Sequence, residues 1–358
     1  MAESLFIFVT CQVGAERALK AEVARHHPTL RFAFSRPGFL TFRLPEGVLP
    51  ADAAALEMVF ARAQGLSLGK AQGETVSDRV AATLAVAAEQ SFDVVHLWQR
   101  DLAAPGHRSF QPGLTRFAQE AASAVDAALP QASPEDTQAP LRASVNATAQ
   151  PGQTVLDVVI VDPTEWWIGT HRAGDVPSCW PGGLCPLELP SDAVSRAWLK
   201  LEEALLWSGL PLKAGQVAAE IGCAPGGSCQ ALLARGLQVI GIDPAEVDPV
   251  VEAHPNFTHI RRRGHEVRRR DFRKVRWLTA DMNVAPDYTL DTVEAIVSHA
   301  EVDIRGMLLT LKLLEWKLAE QIPGYLQRIR SWGFPRVEAR QLQHNRQEIC
   351  VAATRRAR

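Results

Sequence analysis

No apolar run in this 358-residue sequence approaches the ~18 residues that a membrane-spanning helix needs, so no membrane partner is expected. The amino terminus lacks the lysine or arginine of a secretory leader. Glu3 stands there instead, ahead of only five apolar residues, Leu5 to Val9, and the sequence predicts a cytoplasmic protein. Cysteine is sparse: the six residues Cys11, Cys179, Cys185, Cys223, Cys229 and Cys350 are spread along the chain, and neither Cys-x5-Cys pair has the close spacing of a zinc knuckle. Reduced thiols and no metal are expected. A dominant charge of one sign is missing as well, with 38 basic residues against 40 acidic ones. What is present is ordinary globular material: 47% apolar and 22% charged residues can bury a core and exclude wholesale disorder. At ~150 residues per domain the length implies two or three domains.

The even charge total conceals an asymmetry. Residues 1–190 carry 14 Lys and Arg against 20 Asp and Glu, whereas residues 191–358 carry 24 against 20. Nine of the latter basic residues fall between Arg261 and Arg276, where Arg268, Arg269 and Arg270 are consecutive. Such density fits a polyanion partner, and it also fits a solvated loop held open by its own repulsion.

Residues 5–10 read as a strand, 15–25 as a helix that stops before Pro28, and 30–34 and 39–44 as strands around Arg36-Pro37-Gly38. A helix is predicted over 51–64. A second α+β unit follows from about residue 73, with helices over 78–89 and 114–129, a strand over 93–98, a polar loop over 130–140, and paired strands over 154–161 and 166–170. Residues 173–190, rich in Pro and Gly and without periodicity, are expected to be a linker. From 191 onward strands and helices alternate. Ser191 or Asp192 could cap a helix that ends at Gly209, and strands are predicted over 216–221, 237–242, 275–279, 306–311, 337–342 and 349–353. The βαβ unit at 216–242 implies a parallel, Rossmann-like sheet.

Its turn, Glu220-Ile221-Gly222-Cys223-Ala224-Pro225-Gly226-Gly227, lies between a strand and its helix, where glycines let a ligand approach the backbone. Asp243 ends the next strand, in position to accept hydrogen bonds from ribose hydroxyls. The turn has neither the G-x-G-x-x-G of dinucleotide folds nor the G-K-[ST] of phosphate loops. A nucleoside with a cationic tail suits it better than a pyrophosphate, which points to S-adenosylmethionine.

Five blocks then stand in order: residues 195–204 (Ser-Arg-Ala-Trp-Leu-Lys-Leu-Glu-Glu-Ala), the turn at 222–227, Asp281-Met282, Leu311-Lys312-Leu313, and residues 340–348 (Arg-Gln-Leu-Gln-His-Asn-Arg-Gln-Glu). Together they resemble the FtsJ-type RNA ribose 2′-O-methyltransferases, and among these the members that act on a cytidine of 23S ribosomal RNA. The resemblance covers 191–353. It implies a methyltransferase domain at 191–358 after ferredoxin-like (1–72) and THUMP-like (73–172) domains. It also implies S-adenosylmethionine held by Ser195, Gly222, Ala224, Pro225, Gly226, Gly227, Asp243 and Asp281, and a catalytic tetrad of Lys200, Asp281, Lys312 and Glu348. A ribose hydroxyl is a very weak acid, so a base is required, and a lysine serves only when neutral. On this pattern Lys312 is the base, driven toward neutrality by burial and the nearby Lys200 ammonium, while Lys200 orients the hydroxyl. RNA is the expected partner, not DNA, with Arg268, Arg269 and Arg270 against its phosphates. One departure stands out: Arg263 occupies the register in which the family sets an acidic residue against the adenine amino group.

Two rival readings stay open. The tetrad specifies a hydroxyl and not its context, so transfer RNA or a messenger cap could be the substrate; alternatively the fold could bind RNA without turnover. Amino-group methylation is disfavoured by Asp281-Met282-Asn283-Val284 where an Asn/Asp-Pro-Pro-Tyr segment would stand. Pyrimidine C5 methylation needs a nucleophilic cysteine, and Cys223, Cys229 and Cys350 read as packing residues.

Overall fold

In the computed structural model, which describes residues 5–46, 56–108, 110, 113–129 and 143–355, the chain divides between Pro186 and Leu187 into two units. The N-terminal unit contains β1 (Phe6–Thr10), α1 (Glu16–His26), β2 (Arg31–Arg36), β3 (Phe39–Arg43), β4 (Ala63–Gln72), α2 (Val76–Val86), β5 (Val94–Gln99), α3 (Arg116–Ala128), β6 (Ser144–Val145), β7 (Thr154–Asp162) and β8 (Glu165–Arg172). All eight strands join one sheet in the order β2-β3-β1-β4-β8-β7-β5-β6. Residues 1–72 and 73–172, expected as separate domains, therefore share a continuous sheet.

β4 is the strand that joins them, and it lies where a helix was predicted. Of that helix, residues 51–55 lie outside the described residues, 56–62 are irregular, and Ala63 already begins the strand. Pairing outweighs spacing here, because β4 is antiparallel to β1 on one side and to β8 on the other. The Glu22 carboxylate also takes hydrogen bonds from the Val59 and Phe60 amides, at 2.7 and 3.2 Å, fixing a non-helical approach. The polar loop predicted at 130–140 lies outside the described residues. The 173–190 segment is no free linker over its first part. Cys179, Trp180, Leu184 and Cys185 are buried, and left-handed φ angles at Gly182 (61°) and Gly183 (66°) let the backbone lie against the Trp98 ring and the Arg62 carbonyl.

The C-terminal unit contains α4 (Ala197–Ser208), β9 (Val217–Ile221), α5 (Gly227–Ala234), β10 (Gln238–Ile242), α6 (Pro249–Glu252), β11 (Phe257–Ile260), β12 (Val275–Ala280), α7 (Pro286–Val297), β13 (Gly306–Lys312), α8 (Ile322–Ser331), β14 (Arg336–Arg340) and β15 (Glu348–Thr354). Its sheet runs β11-β10-β9-β12-β13-β15-β14, parallel from β11 to β13, with β15 antiparallel to β13 and β14. The chain travels outward from β9 to β11 and then returns to the other side of β9 at β12. This is a Rossmann-like α/β arrangement, and the switch between β9 and β12 opens a crevice at the strands' carboxyl ends, where such sheets bind ligands. Behind it, Leu201, Ala204 and Leu205 of α4 pack with Leu232 of α5 and Ala218 of β9.

Neither Ser191 nor Asp192 caps α4. Gln230 ties that segment to α5 instead, accepting from the Val194 amide (3.0 Å) and donating to the Asp192 carbonyl (3.0 Å), and the helix starts at Ala197. Its end is as predicted, with Gly209 left-handed at φ 60°. Among the described residues no helix is long and apolar enough to cross a membrane.

Candidate active site

Four strand ends converge on the crevice. Ile221 closes β9 and leads into the glycine turn, Ile242 of β10 precedes Asp243, Ala280 of β12 precedes Asp281, and Lys312 is the last residue of β13. The turn is tight for a reason that can be read atom by atom. Gly222 takes φ 83°, and a Cβ there would stand 2.7 Å from the Asp281 carbonyl oxygen. A side chain at Gly227 would run into Ser195 Oγ, so Ser195 is seated directly against the turn. Gly226, at φ 120°, passes close to Val247 and Val251. Asp243 fastens the far side: Oδ2 accepts from the Ala224 amide at 3.2 Å and Oδ1 from the Ala245 amide at 2.8 Å. Each carboxylate oxygen keeps a second lone pair for a ligand hydroxyl. The expected cofactor residues Ser195, Gly222, Ala224, Pro225, Gly226, Gly227, Asp243 and Asp281 thus belong to one contiguous backbone cradle with an acceptor at its rim, which fits a nucleoside.

Lys200, Asp281, Lys312 and Glu348 come from α4, the β12 end, β13 and β15, and they meet in a closed ring of alternating charge. Lys200 Nζ lies 3.2 Å from Asp281 Oδ2 and 2.5 Å from Glu348 Oε1; Lys312 Nζ lies 2.7 Å from Asp281 Oδ1 and 2.5 Å from Glu348 Oε2. Every carboxylate oxygen faces an ammonium and each ammonium bridges both carboxylates. Strand register places one corner, since Lys312 and Glu348 are direct partners across β13 and β15. Two residues outside the expected tetrad hold the others. Asn345 Nδ2 donates to Glu348 Oε1 at 3.2 Å, and the buried Glu203 carboxylate of α4 accepts from the Gln343 and His344 amides at 2.8 and 3.3 Å, pinning the β14–β15 loop to the helix that carries Lys200.

The ring sets the protonation of its members. Burial opposes ionisation of Asp281 and Glu348, but Lys200 and Lys312 outweigh it and hold both carboxyls below their ordinary range. Lys312 departs from expectation. Burial does act to neutralise it, yet Asp281 and Glu348 prevail and raise it above the usual lysine value, so in this arrangement it is an ammonium. Beneath the ring Glu220 is buried, bonded to Thr279, and pushed up to about 8 by desolvation, with the Asp281 charge adding to the effect. Cys223 and Cys229 are buried partners of one another, and Cys350 lies inside the sheet with its thiol driven up by burial. None of the three has the exposed, electropositive setting of a nucleophile.

The sequence is similar to those of known methyltransferases. Residues 193–325 match the FtsJ-like methyltransferase family. The ribosomal RNA large subunit methyltransferase M of Laribacter hongkongensis is 33% identical over 189 residues, 50% of this chain and 52% of that protein. The protein of the same name from Halorhodospira halophila is 29% identical over 360 aligned residues, 97% of this chain and 96% of that one. A third, from Methylococcus capsulatus, is 32% identical over 205 residues and is matched over 56% of its length. The chain carries an FtsJ-like methyltransferase domain. Its cofactor is S-adenosylmethionine.

The FtsJ-like domain distributes its arginines differently from expectation. Arg261 leaves β11 at the crevice edge, donating to the Pro244 carbonyl at 3.3 Å and pairing with Glu246 at 3.1 Å. The chain must then descend to the start of β12, at the opposite edge, where Arg273 pairs with Glu301 and Arg276 lies 3.7 Å from Asp303. Arg268, Arg269 and Arg270 stand on that connection, just before the start of β12. Arg268 is engaged by Asp271 (3.3 Å) and Arg269 donates to the Val267 carbonyl (2.9 Å). Arg262 and Arg263 are exposed beside Arg261, and Arg262 has no acidic partner among the described residues. Arg263 precedes a short turn in which its amide donates to the Glu266 carboxylate at 3.1 Å; that carboxylate, three residues on, is the nearest acidic group in sequence to the position where the family's adenine contact was expected.

Proposed function

We propose that this protein methylates a ribose 2′-hydroxyl of RNA, a cytidine of 23S ribosomal RNA, and that it does so in the cytoplasm. The observation that carries the reading is the closed lysine–carboxylate ring beside the glycine turn that Asp243 fastens. Bound in the cradle, S-adenosylmethionine supplies an electrophilic methyl group. Asp243 would accept from its ribose hydroxyls, and the glycine turn with Ser195 would shape the pocket around it. Lys200 orients the target hydroxyl through its ammonium. Lys312 receives the hydroxyl proton, which requires it to have lost its own, and Asp281 and Glu348 hold both lysines in place. Because those carboxylates favour the ammonium, the neutral form becomes available only as pH rises. Arg262 and Arg263, at the crevice edge, are better placed than Arg268, Arg269 and Arg270 to meet phosphates flanking the target. The large-subunit reading rests on the names of the relatives, and the cytidine on the block pattern of the sequence.

The deciding experiment maps 2′-O-methylated nucleosides in ribosomal and transfer RNA from cells with and without the gene, and repeats the reaction with purified protein. Loss of a single methylcytidine from 23S ribosomal RNA is the expected result. Loss confined to transfer RNA would retain the chemistry and replace the substrate; no change in either, with intact cofactor binding, would leave an RNA-binding protein.

A further inference from the structure

A second cluster, in the N-terminal unit, is independent of the methyltransferase chemistry. His96 on β5 is the direct register partner of Asp157 on the parallel strand β7, and His171 on β8 lies two residues beyond Gly169, the partner of Asp157 on that side. One face of the sheet therefore presents all three side chains together. They are deeply buried, with exposures of 0%, 1% and 8%, and one donor atom from each lies within 4.8 Å of the others.

The outer contacts fix which atoms point inward. His96 Nε2 is 3.1 Å from the Ala147 carbonyl oxygen, and His171 Nε2 is 2.9 Å from the Ser178 carbonyl oxygen. A carbonyl can only accept, so both Nε2 atoms carry hydrogen, which leaves Nδ1 of each ring as the nitrogen free to ligate. His171 Nδ1 sits 2.7 Å from Asp157 Oδ2. His96 Nδ1 and Asp157 Oδ1 are buried and have no hydrogen-bond partner among the described residues. Lone pairs thus outnumber protons in a site sealed from water, an arrangement that is costly unless a donor or a cation fills it.

We propose that His96, Asp157 and His171 form a binding site for a divalent transition-metal ion of the zinc class, through the two Nδ1 atoms and the Asp157 carboxylate. Imidazole with carboxylate selects such ions over calcium or magnesium, which prefer all-oxygen sites. Hydrogen bonds from the outer ring nitrogens to backbone carbonyls are the second layer that orients metal-bound histidines. Ligand atoms around a tetrahedral zinc with bonds of about 2.1 Å stand about 3.4 Å apart, so no gap here must close by more than about 1.4 Å. Coordination at His171 Nδ1 displaces the proton it shares with Asp157, and that proton leaves to solvent. The metal would then tie together β5, β7, β8 and the buried segment around Ser178. A bridging water is the rival occupant.

The test uses the full-length protein, stripped with chelator and titrated with Zn²⁺ and separately with Co²⁺. One equivalent per chain is expected, with visible cobalt bands typical of nitrogen and oxygen ligands and no thiolate-to-cobalt band. His96→Gln and Asp157→Asn should each weaken binding at least ~100-fold, and His96→Gln should leave thermal unfolding of the stripped protein close to wild type. Absence of binding, a thiolate band, or affinity unchanged in both variants would overturn the proposal. Should a variant fail to fold, the wild-type cobalt spectrum and stoichiometry still decide it.

Discussion

The lysine–carboxylate ring and the histidine–aspartate cluster solve opposite problems. In the C-terminal ring two ammoniums face two carboxylates, and each carboxylate oxygen lies against one of the two. In the N-terminal cluster the His96 Nδ1 lone pair and the Asp157 carboxylate face a single proton at His171 Nδ1, and two buried atoms have no hydrogen-bond partner among the described residues. A balanced ring is stable by itself and must be perturbed by substrate before it does chemistry. An unbalanced cluster advertises what it lacks.

The comparison is broken most forcefully by removing one corner of the ring. Lys312→Ala should lower single-turnover methylation by ~10² to 10⁴ while cofactor and RNA affinities stay near wild type, since a base acts in the transition state. Undiminished turnover would take Lys312 out of the base role. In the intact enzyme the same single-turnover rate should climb about tenfold per pH unit through neutrality, because Lys312 is held above its ordinary value. A plateau already reached at neutral pH would contradict that.

Next in size is the cradle, which the ring should not control. Asp243→Ala is expected to weaken S-adenosylmethionine binding by about 1.5–3 kcal/mol, the range for a hydrogen bond to a charged group, and calorimetry reads it directly. An unchanged dissociation constant would mean that the rim carboxylate does not face the ligand.

A subtler way to unbalance the ring is to charge the acid beneath it. Glu220 has its folded value raised from 4.5 to about 8, so its stabilising protonated form is fully present below pH 4.5 and is lost as pH rises through about 8. Between pH 6 and 8, wild type should therefore lose stability relative to Glu220→Gln, by up to about 1.4 kcal/mol per pH unit. Parallel pH profiles of denaturant unfolding for the two proteins would show that Glu220 ionises without penalty. The smallest effect lies outside the ring. Replacing Arg262 and Arg263 by Ala should flatten the salt dependence of single-stranded RNA binding by up to ~1.4 units, about 0.7 per phosphate contact, whereas Arg268→Ala should change it little. The reverse ranking would restore the arginine run at 268–270 as the contact.

Much of the C-terminal unit was legible because its signals are local. The glycine turn, Asp243 at a strand end and Gly209 closing α4 each follow from a few neighbouring residues. The ring was reachable only through the ordered blocks, because Lys200 and Glu348 are brought together by tertiary packing and no spacing rule joins them. Its electrostatic sense was misjudged by weighing burial and Lys200 while treating the carboxylates only as positioning groups. The N-terminal unit was harder. β4 is held by two partner strands, one before it and one about a hundred residues after it, and pairing of that kind leaves no periodic trace in 51–64. His96, Asp157 and His171 are equally scattered, and a search for close cysteine spacing passes over them.

The folded-back stretch around Trp180 has a practical side. Cutting the chain at residue 172 to obtain the methyltransferase portion alone would release Cys179, Trp180 and Leu184 from the sheet and strip the cover from Trp98. Both fragments would then carry freshly bared greasy surface, and aggregation on purification could be mistaken for a requirement of one half for the other. Severing after Pro186 leaves that cover where it belongs.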